Sequence, residues 1–188
     1  MSVFTPANQL TLLRLALVPV FVLCVLYGLH GWALVTFVTA GVTDLFDGLL
    51  ARRLGQPTVL GAWLDPAADK VLVLTMFVIL TVPGLGEPNR LPLWLTVLVI
   101  SRDVAIVLTV AIFNLAVARR TFRPTLLGKL ATVTYVTTGV VALFGNYRGE
   151  RLVLVDVCAY SALAITLISG FHYAVTVMRP ADPGDAER

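Results

Sequence analysis

Six helices crossing a lipid bilayer are the fold this sequence predicts, on three observations. The 188 residues are 58% hydrophobic and 13% charged, with a mean hydropathy of +0.89. An ordinary soluble domain is roughly 45–50% apolar and about 25% charged. Apolar stretches run over residues 9–28, 31–50, 66–83, 91–117, 125–146 and 152–178, and a helix needs about 20 such residues to cross the hydrocarbon core. The runs are continuous rather than alternating with period two, which selects helices over a barrel. The expectation is an all-α integral membrane protein forming one domain over residues 1–188.

Each element has its own signature. The segment SVFTPANQ is expected to lie along the interface and lead into the first helix. It has no basic n-region, and the apolar run behind it is full length with Arg14 in its first turns, so it does not read as a removable signal. The second helix is expected to continue past the bilayer to Leu54. Breaks fall at LGQPT (54–58), VPGLGEPNRLP (82–92) and FGNYRGER (144–151), where glycine, proline and asparagine stop helices. The polar tail 179–188 reads as a frayed end.

With the N-terminus inside, the cytoplasmic side collects Arg52, Arg53, Arg119, Arg120, Arg123, Lys129, Arg179 and Arg188, against Arg90, Arg148 and Arg151 outside. The positive-inside rule then puts both termini in the cytoplasm. The net charge of +3 reads as topology and attraction to anionic headgroups, not nucleic-acid binding. Cys24 and Cys158 lie in separate apolar runs without metal-ligand spacing and read as buried thiols. His30 and His172 stand alone near helix ends and read as interface residues. Asp156 reads as an interfacial residue or a partner of Arg151.

Four aspartates in apolar surroundings carry the functional signal: Asp44 and Asp47 in GVTDLFDGLLARRL, Asp65 and Asp69 in GAWLDPAADKVLVL. Carboxylates in or beside a spanning helix are costly and mark a site by default. Spacings of three and four put each pair on one helix face. The short LGQPT turn makes the two helices antiparallel neighbours, so the acidic faces can oppose each other near the cytoplasmic side. Like charges this close do not all stay ionised unaided. Lys70 and Arg52 are candidate partners, but two Mg²⁺ or Mn²⁺ held by oxygen ligands would balance four negative charges better. Small Gly48, Ala51 and Gly61 permit close helix packing or leave room for a substrate.

Taken together, D44-x2-D47-G48-x2-A51-R52-x8-G61-x3-D65-x3-D69 resembles, at every specified position, the signature of the CDP-alcohol phosphotransferase (CDP-alcohol phosphatidyltransferase) family. Asn8, Thr11 and Arg14, spaced N-x2-T-x2-R, are similar to that family's opening, although Ala7 stands where a proline is usual and the proline is Pro6. The resemblance implies that Asp44, Asp47, Asp65 and Asp69 bind two divalent cations and that Asp69 also accepts a proton. It further implies that Asn8, Gln9, Leu10, Thr11, Gly48, Arg52, Thr58 and Gly61 contact a CDP-lipid, and that the enzyme is a homodimer. Arg52 suits fork-like recognition of a diphosphate, its alternative being a positive-inside anchor. The implied reaction moves the phosphatidyl group of CDP-diacylglycerol to an alcohol with release of CMP, in a bacterial inner membrane.

The acceptor is read from two further segments. ISRDV places Arg102 and Asp103 inside an apolar run, and RPTLLGK puts Arg123 and Lys129 where the fifth helix begins. SRDV and P-T-x2-[GS]-K are similar to the CMP-forming cardiolipin synthases, whose acceptor is phosphatidylglycerol. Arg102, Arg123 and Lys129 are thus candidate acceptor contacts, while Arg102 and Asp103 read equally as a polar contact between helices. Glycerol 3-phosphate, as in the phosphatidylglycerophosphate synthases, is the alternative. Intramembrane acids also serve cation transporters, but all four lie in one adjacent helix pair with no second half mirroring them.

Overall fold

The computed structural model is all helical and describes residues 6–54, 59–85, 87–116 and 126–178, with side chains described for residues 9–43, 70–85, 87–109, 126–173 and 175. Six helices follow in order: α1 (Pro6–Leu26), α2 (His30–Leu54), α3 (Val59–Thr81), α4 (Leu93–Ala116), α5 (Leu126–Arg148) and α6 (Val153–Met178). No strand occurs among the described residues. Pro6 opens α1, where its missing N–H costs nothing. Residues 6–9, expected to lead into the first helix, already form its first turn.

Two boundaries differ from expectation. The third helix begins at Val59 rather than 66, because hydropathy marks apolarity and not helicity. The stretch ahead of Pro66 is mixed in polarity but rich in leucine and alanine, which favour helix. The break expected from 144 is delayed, since α5 continues to Arg148 and stops where Gly149 takes a φ of 67°. Gly28, with a φ of 70°, closes α1 in the same way.

The packing fits a bilayer. α1 lies against α2 and α3, α5 against α6 and α2, and α4 against α6 and α3. Phe21, Phe37, Met76, Phe77, Leu80 and Leu143 fill the centre. The outside is also apolar: Leu12, Leu23, Val107, Leu167 and Phe171 are exposed along the helix flanks. Hydroxyls on that outer surface turn back on their own helices, Thr109 donating to Ala105 C=O at 2.7 Å and Thr137 to Val133 C=O at 2.8 Å. A hydroxyl facing hydrocarbon has to find its acceptor in this way. Among the described residues, Gln9–Leu26, Leu126–Arg148 and Val153–Tyr173 are long and apolar enough to cross a membrane. Cys24 and Cys158 are free and half-buried rather than fully buried.

One end of the bundle is tied by polar side chains. Buried Asn89, between α3 and α4, donates from Nδ2 to Glu150 C=O at 2.6 Å and accepts from Leu152 N–H at 2.7 Å. Its own N–H donates to Asn146 Oδ1 at 2.8 Å. Asn146 Nδ2 in turn donates to Glu87 Oε2 at 3.0 Å. His30 Nδ1 stands 3.7 Å from the other Glu87 oxygen. Arg151 pairs with Asp156 at 3.2 Å, one of the alternatives its spacing offered.

Candidate functional site

The aspartates lie on two helices that pack together and are separated only by residues 55–58. Asp44 stands ten residues before the end of α2, and Asp69 ten residues after the start of α3. Asp47 is seven residues from that end of α2, and Asp65 six from the start of α3. At about 1.5 Å per residue, Asp44 and Asp69 lie about equally far along their helices from the connection between them, and so do Asp47 and Asp65. Gly48 and Arg52 continue along α2, and Gly61 lies in the first turn of α3. The side chains of Asn8, Asp44, Asp47, Arg52, Asp65 and Asp69 lie outside the described residues, as do Thr58 and Arg123 entirely.

In α1, Thr11 and Arg14 are both fully buried, while Leu10 is half-buried and Gln9 exposed. Three residues apart, Thr11 and Arg14 share the helix face that packs inward, toward α2 and α3.

Directly after Asp69, Lys70 extends from α3 to α4, where Nζ donates to Asp103 Oδ2 at 3.2 Å. The other oxygen of that carboxylate accepts from Arg102 Nη1 at 2.8 Å. Arg102 Nη2 donates to Ser169 of α6 at 3.3 Å, and the Ser169 hydroxyl donates to Thr166 C=O at 3.2 Å. The Thr166 hydroxyl lies 2.6 Å from that of Tyr135 on α5. A polar tier thus crosses α3, α4, α6 and α5 beside the residue that follows Asp69. Arg102 and Asp103 are 14% and 15% exposed, low enough that water does not screen them well. Both act as helix-to-helix contacts. Lys129 is exposed in the first turn of α5, whereas Arg102 is drawn inward.

Reading along the chain missed Ser169, Thr166 and Tyr135, and it missed that Lys70 pairs with Asp103. A serine, a threonine or a tyrosine in an apolar run is ordinary, and the partners stand 31 to 67 positions apart. The available signal was the set of charges inside apolar runs, since a buried ion needs an opposite partner.

Chain-wide likeness agrees with this geometry. Residues 4–175 match the family model described as CDP-alcohol phosphatidyltransferase. A "Probable phosphatidylglycerophosphate synthase" of Mycobacterium tuberculosis is 40% identical, over 92% of this chain and 81% of the relative. A "Cardiolipin synthase (CMP-forming)" of Streptomyces coelicolor is 35% identical, over 94% of this chain and 84% of the relative. The "CDP-diacylglycerol--glycerol-3-phosphate 3-phosphatidyltransferase" of Bacillus subtilis is 29% identical, over 90% and 93%. With a helical membrane fold and a family match that covers nearly its whole length, the chain belongs to the CDP-alcohol phosphatidyltransferase family, the transferases of phospholipid synthesis.

Proposed function

We propose that this enzyme transfers the phosphatidyl group of CDP-diacylglycerol to phosphatidylglycerol, releasing CMP and forming a cardiolipin-type lipid. What supports the reading is that Asp44 and Asp69, and likewise Asp47 and Asp65, stand about equally far from the connection between two contacting helices. Four carboxylates are the hard oxygen donors that divalent cations prefer, so the donor set fits the family's use of such ions. Asp44, Asp47, Asp65 and Asp69 would hold two Mg²⁺ or Mn²⁺, which when bound supply charge compensation at the phosphoryl oxygens.

The chain's own residues do the rest. Asp69 takes the proton from the acceptor hydroxyl as its oxygen bonds to the lipid-bearing phosphorus, a task that requires hydrogen-bond reach. The bond from that phosphorus to the oxygen shared with CMP breaks, and CMP leaves with the electron pair. Arg52 holds the diphosphate as a charged fork. Asn8, Gln9, Leu10 and Thr11 border the CDP-lipid from α1, Gly48 and Gly61 leave clearance for it, and Thr58 contacts it from the turn. Arg102, Arg123 and Lys129 serve the acceptor. The site and both termini face the cytoplasm of a bacterial inner membrane, and the enzyme works as a homodimer.

The M. tuberculosis relative's name favours a second reading, with glycerol 3-phosphate as acceptor. Offering phosphatidylglycerol and glycerol 3-phosphate in parallel with CDP-diacylglycerol, and weighing the lipid product, separates the two. A four-chain product supports the proposal. A phosphatidylglycerophosphate product replaces it with the second reading, and no CMP from either acceptor removes both.

A further inference from the structure

At the end of the bundle away from the aspartates, a cavity of about 320 Å³ opens where the α3–α4 connection meets the start of α6. Thr81, the last residue of α3 beside it, stands twelve residues beyond Asp69, about 18 Å at the helical rise. Two arginines line it, Arg90 and Arg151, with Asp156 as the one acid. Arg90 Nε donates to Thr81 C=O at 2.8 Å, which fixes the guanidinium and leaves both Nη groups for a partner from outside. Arg90 meets no carboxylate within ion-pair distance among the described residues. Arg151 gives only Nη2 to Asp156, at 3.2 Å from each oxygen, and keeps Nε and Nη1 open. Both members of that pair face solvent, where an ion pair is worth little and yields readily to a better anion.

The other charges at this end are engaged elsewhere. Arg148 pairs with Glu150 at 3.5 Å, and Glu87 accepts from Asn146 and faces His30. Two guanidiniums in one pocket present the fork geometry that phosphate oxygens take. With Asp156 already paired, the lining repels a headgroup cation and favours a net negative charge.

The mouth of the cavity is aromatic and lies at lipid-headgroup level. Trp94 and Tyr160 line it with ring centroids 6.1 Å apart. Both are exposed, as are Tyr27, Trp32 and Tyr147 at the same end of the bundle. Exposed tryptophan and tyrosine collected at one end mark a membrane interface. Leu93 beside Trp94, and Val97 one turn further along α4, continue the exposed flank as hydrocarbon. A phosphate carried on a lipid uses both the arginines and this mouth, whereas a free phosphate uses the arginines alone.

We infer that this pocket binds the phosphodiester of an anionic glycerophospholipid from the leaflet at that end, held by Arg90 and Arg151, with Trp94 and Tyr160 against its glycerol esters. The site is separate from phosphatidyl transfer and does not depend on it.

The test reads Trp94 alone. The chain has three tryptophans, and the full chain carrying Trp32→Phe and Trp63→Phe in nanodiscs leaves Trp94 as the fluorophore. Its quenching by phosphatidylglycerol brominated on an acyl chain is compared with quenching by phosphatidylcholine brominated alike, each diluted into plain phosphatidylcholine. Phosphatidylglycerol is expected to be preferred at Trp94 about fivefold, the worth of roughly one basic residue at a membrane surface. Arg90→Gln and Arg151→Gln should each bring the ratio toward one, while Arg148→Gln, at the same end but outside the lining, should leave it unchanged. Inorganic phosphate in the buffer should not relieve the quenching. Where the double tryptophan variant fails to fold, Trp94→Phe in the otherwise natural chain isolates the same signal by difference. The lipid ratio with both arginines intact decides the matter even where an arginine variant fails to fold. Equal quenching by the two lipids, or a preference that survives Arg90→Gln and Arg151→Gln together, would overturn the inference. Relief by inorganic phosphate would also overturn it, leaving a soluble-anion site. None of these readouts needs turnover, so a chain that releases no CMP leaves this inference standing, and its failure leaves phosphatidyl transfer intact.

Discussion

Around Asn89, where the α3–α4 connection meets the α5–α6 turn, the polar side chains close on one another. Its amide donates to Glu150 C=O and accepts from Leu152 N–H, and its backbone donates to Asn146. In the tier beside Asp69, by contrast, two cations share one carboxylate, the Arg102 Nε–H has no acceptor among the described residues, and an empty volume adjoins it. Asn89 itself is satisfied, while Glu87 Oε1 and His30 Nδ1 at the edge of its network are buried without a hydrogen-bond partner among the described residues. A satisfied group in a tight place holds helices together, since orphaning it costs its full desolvation. A network with charge and space left over can take a ligand. The first region is expected to answer mutation with lost stability, and the second with lost turnover.

The sharpest break should come at the catalytic end. Asp69→Asn is expected to lower kcat at least about 100-fold, the usual worth of a positioned general base, with the thermal midpoint in detergent little changed. Full activity in that variant would remove the proton-acceptor role.

At the opposite end, Gly145→Ala should cost stability and leave kcat alone. A Cβ there would collide with Asn89 Nδ2 and come within 2.9 Å of its Cγ, displacing the amide from its partners. A loss of about 1–3 kcal/mol follows from the orphaned groups, read as a lower midpoint. Gly139→Ala is the control. The nearest atoms to its Cβ would all be of flexible Met76, at 2.6 Å from Cε, 2.8 Å from Sδ and 3.2 Å from Cγ, and that side chain can swing aside at smaller cost. Equal losses from the two glycines would contradict the distinction drawn between them.

The smallest expected effect concerns Glu87, whose carboxyl burial pushes from 4.5 to about 7. Between those values the native chain keeps a proton that the unfolded chain releases, so stability falls as pH rises through that window. Glu87→Gln keeps an oxygen for Asn146 and discards the charge. Its midpoint should exceed that of the wild type at about pH 8 and vary less between about pH 5 and 8. A wild-type midpoint that rises over that range would contradict this.

Much of this contrast is legible in the residues themselves. Hydropathy places six helices because the bilayer imposes a minimum apolar length, and Arg151 and Asp156 pair as their closeness along the chain allows. Spacings of three and four predict the aspartate faces, whose side chains lie outside the described residues. The start of α3 is hidden because helicity there rests on leucine and alanine rather than on a continuous apolar run. The tier is hidden for a different reason: Lys70 and Asp103 are 33 positions apart, and only the packing of α3 on α4 makes them neighbours. Which face of α4 leaves a void against α6 depends on side-chain volumes on both helices, a property of the pair that neither segment carries alone.

The account turns on carboxylates that work through bound divalent ions, and CMP release from CDP-diacylglycerol in the presence of phosphatidylglycerol, followed during chelation, tests it most directly. Turnover should stop when chelator is in excess and return when Mg²⁺ or Mn²⁺ is added back. Release that continues unchanged in excess chelator would contradict it.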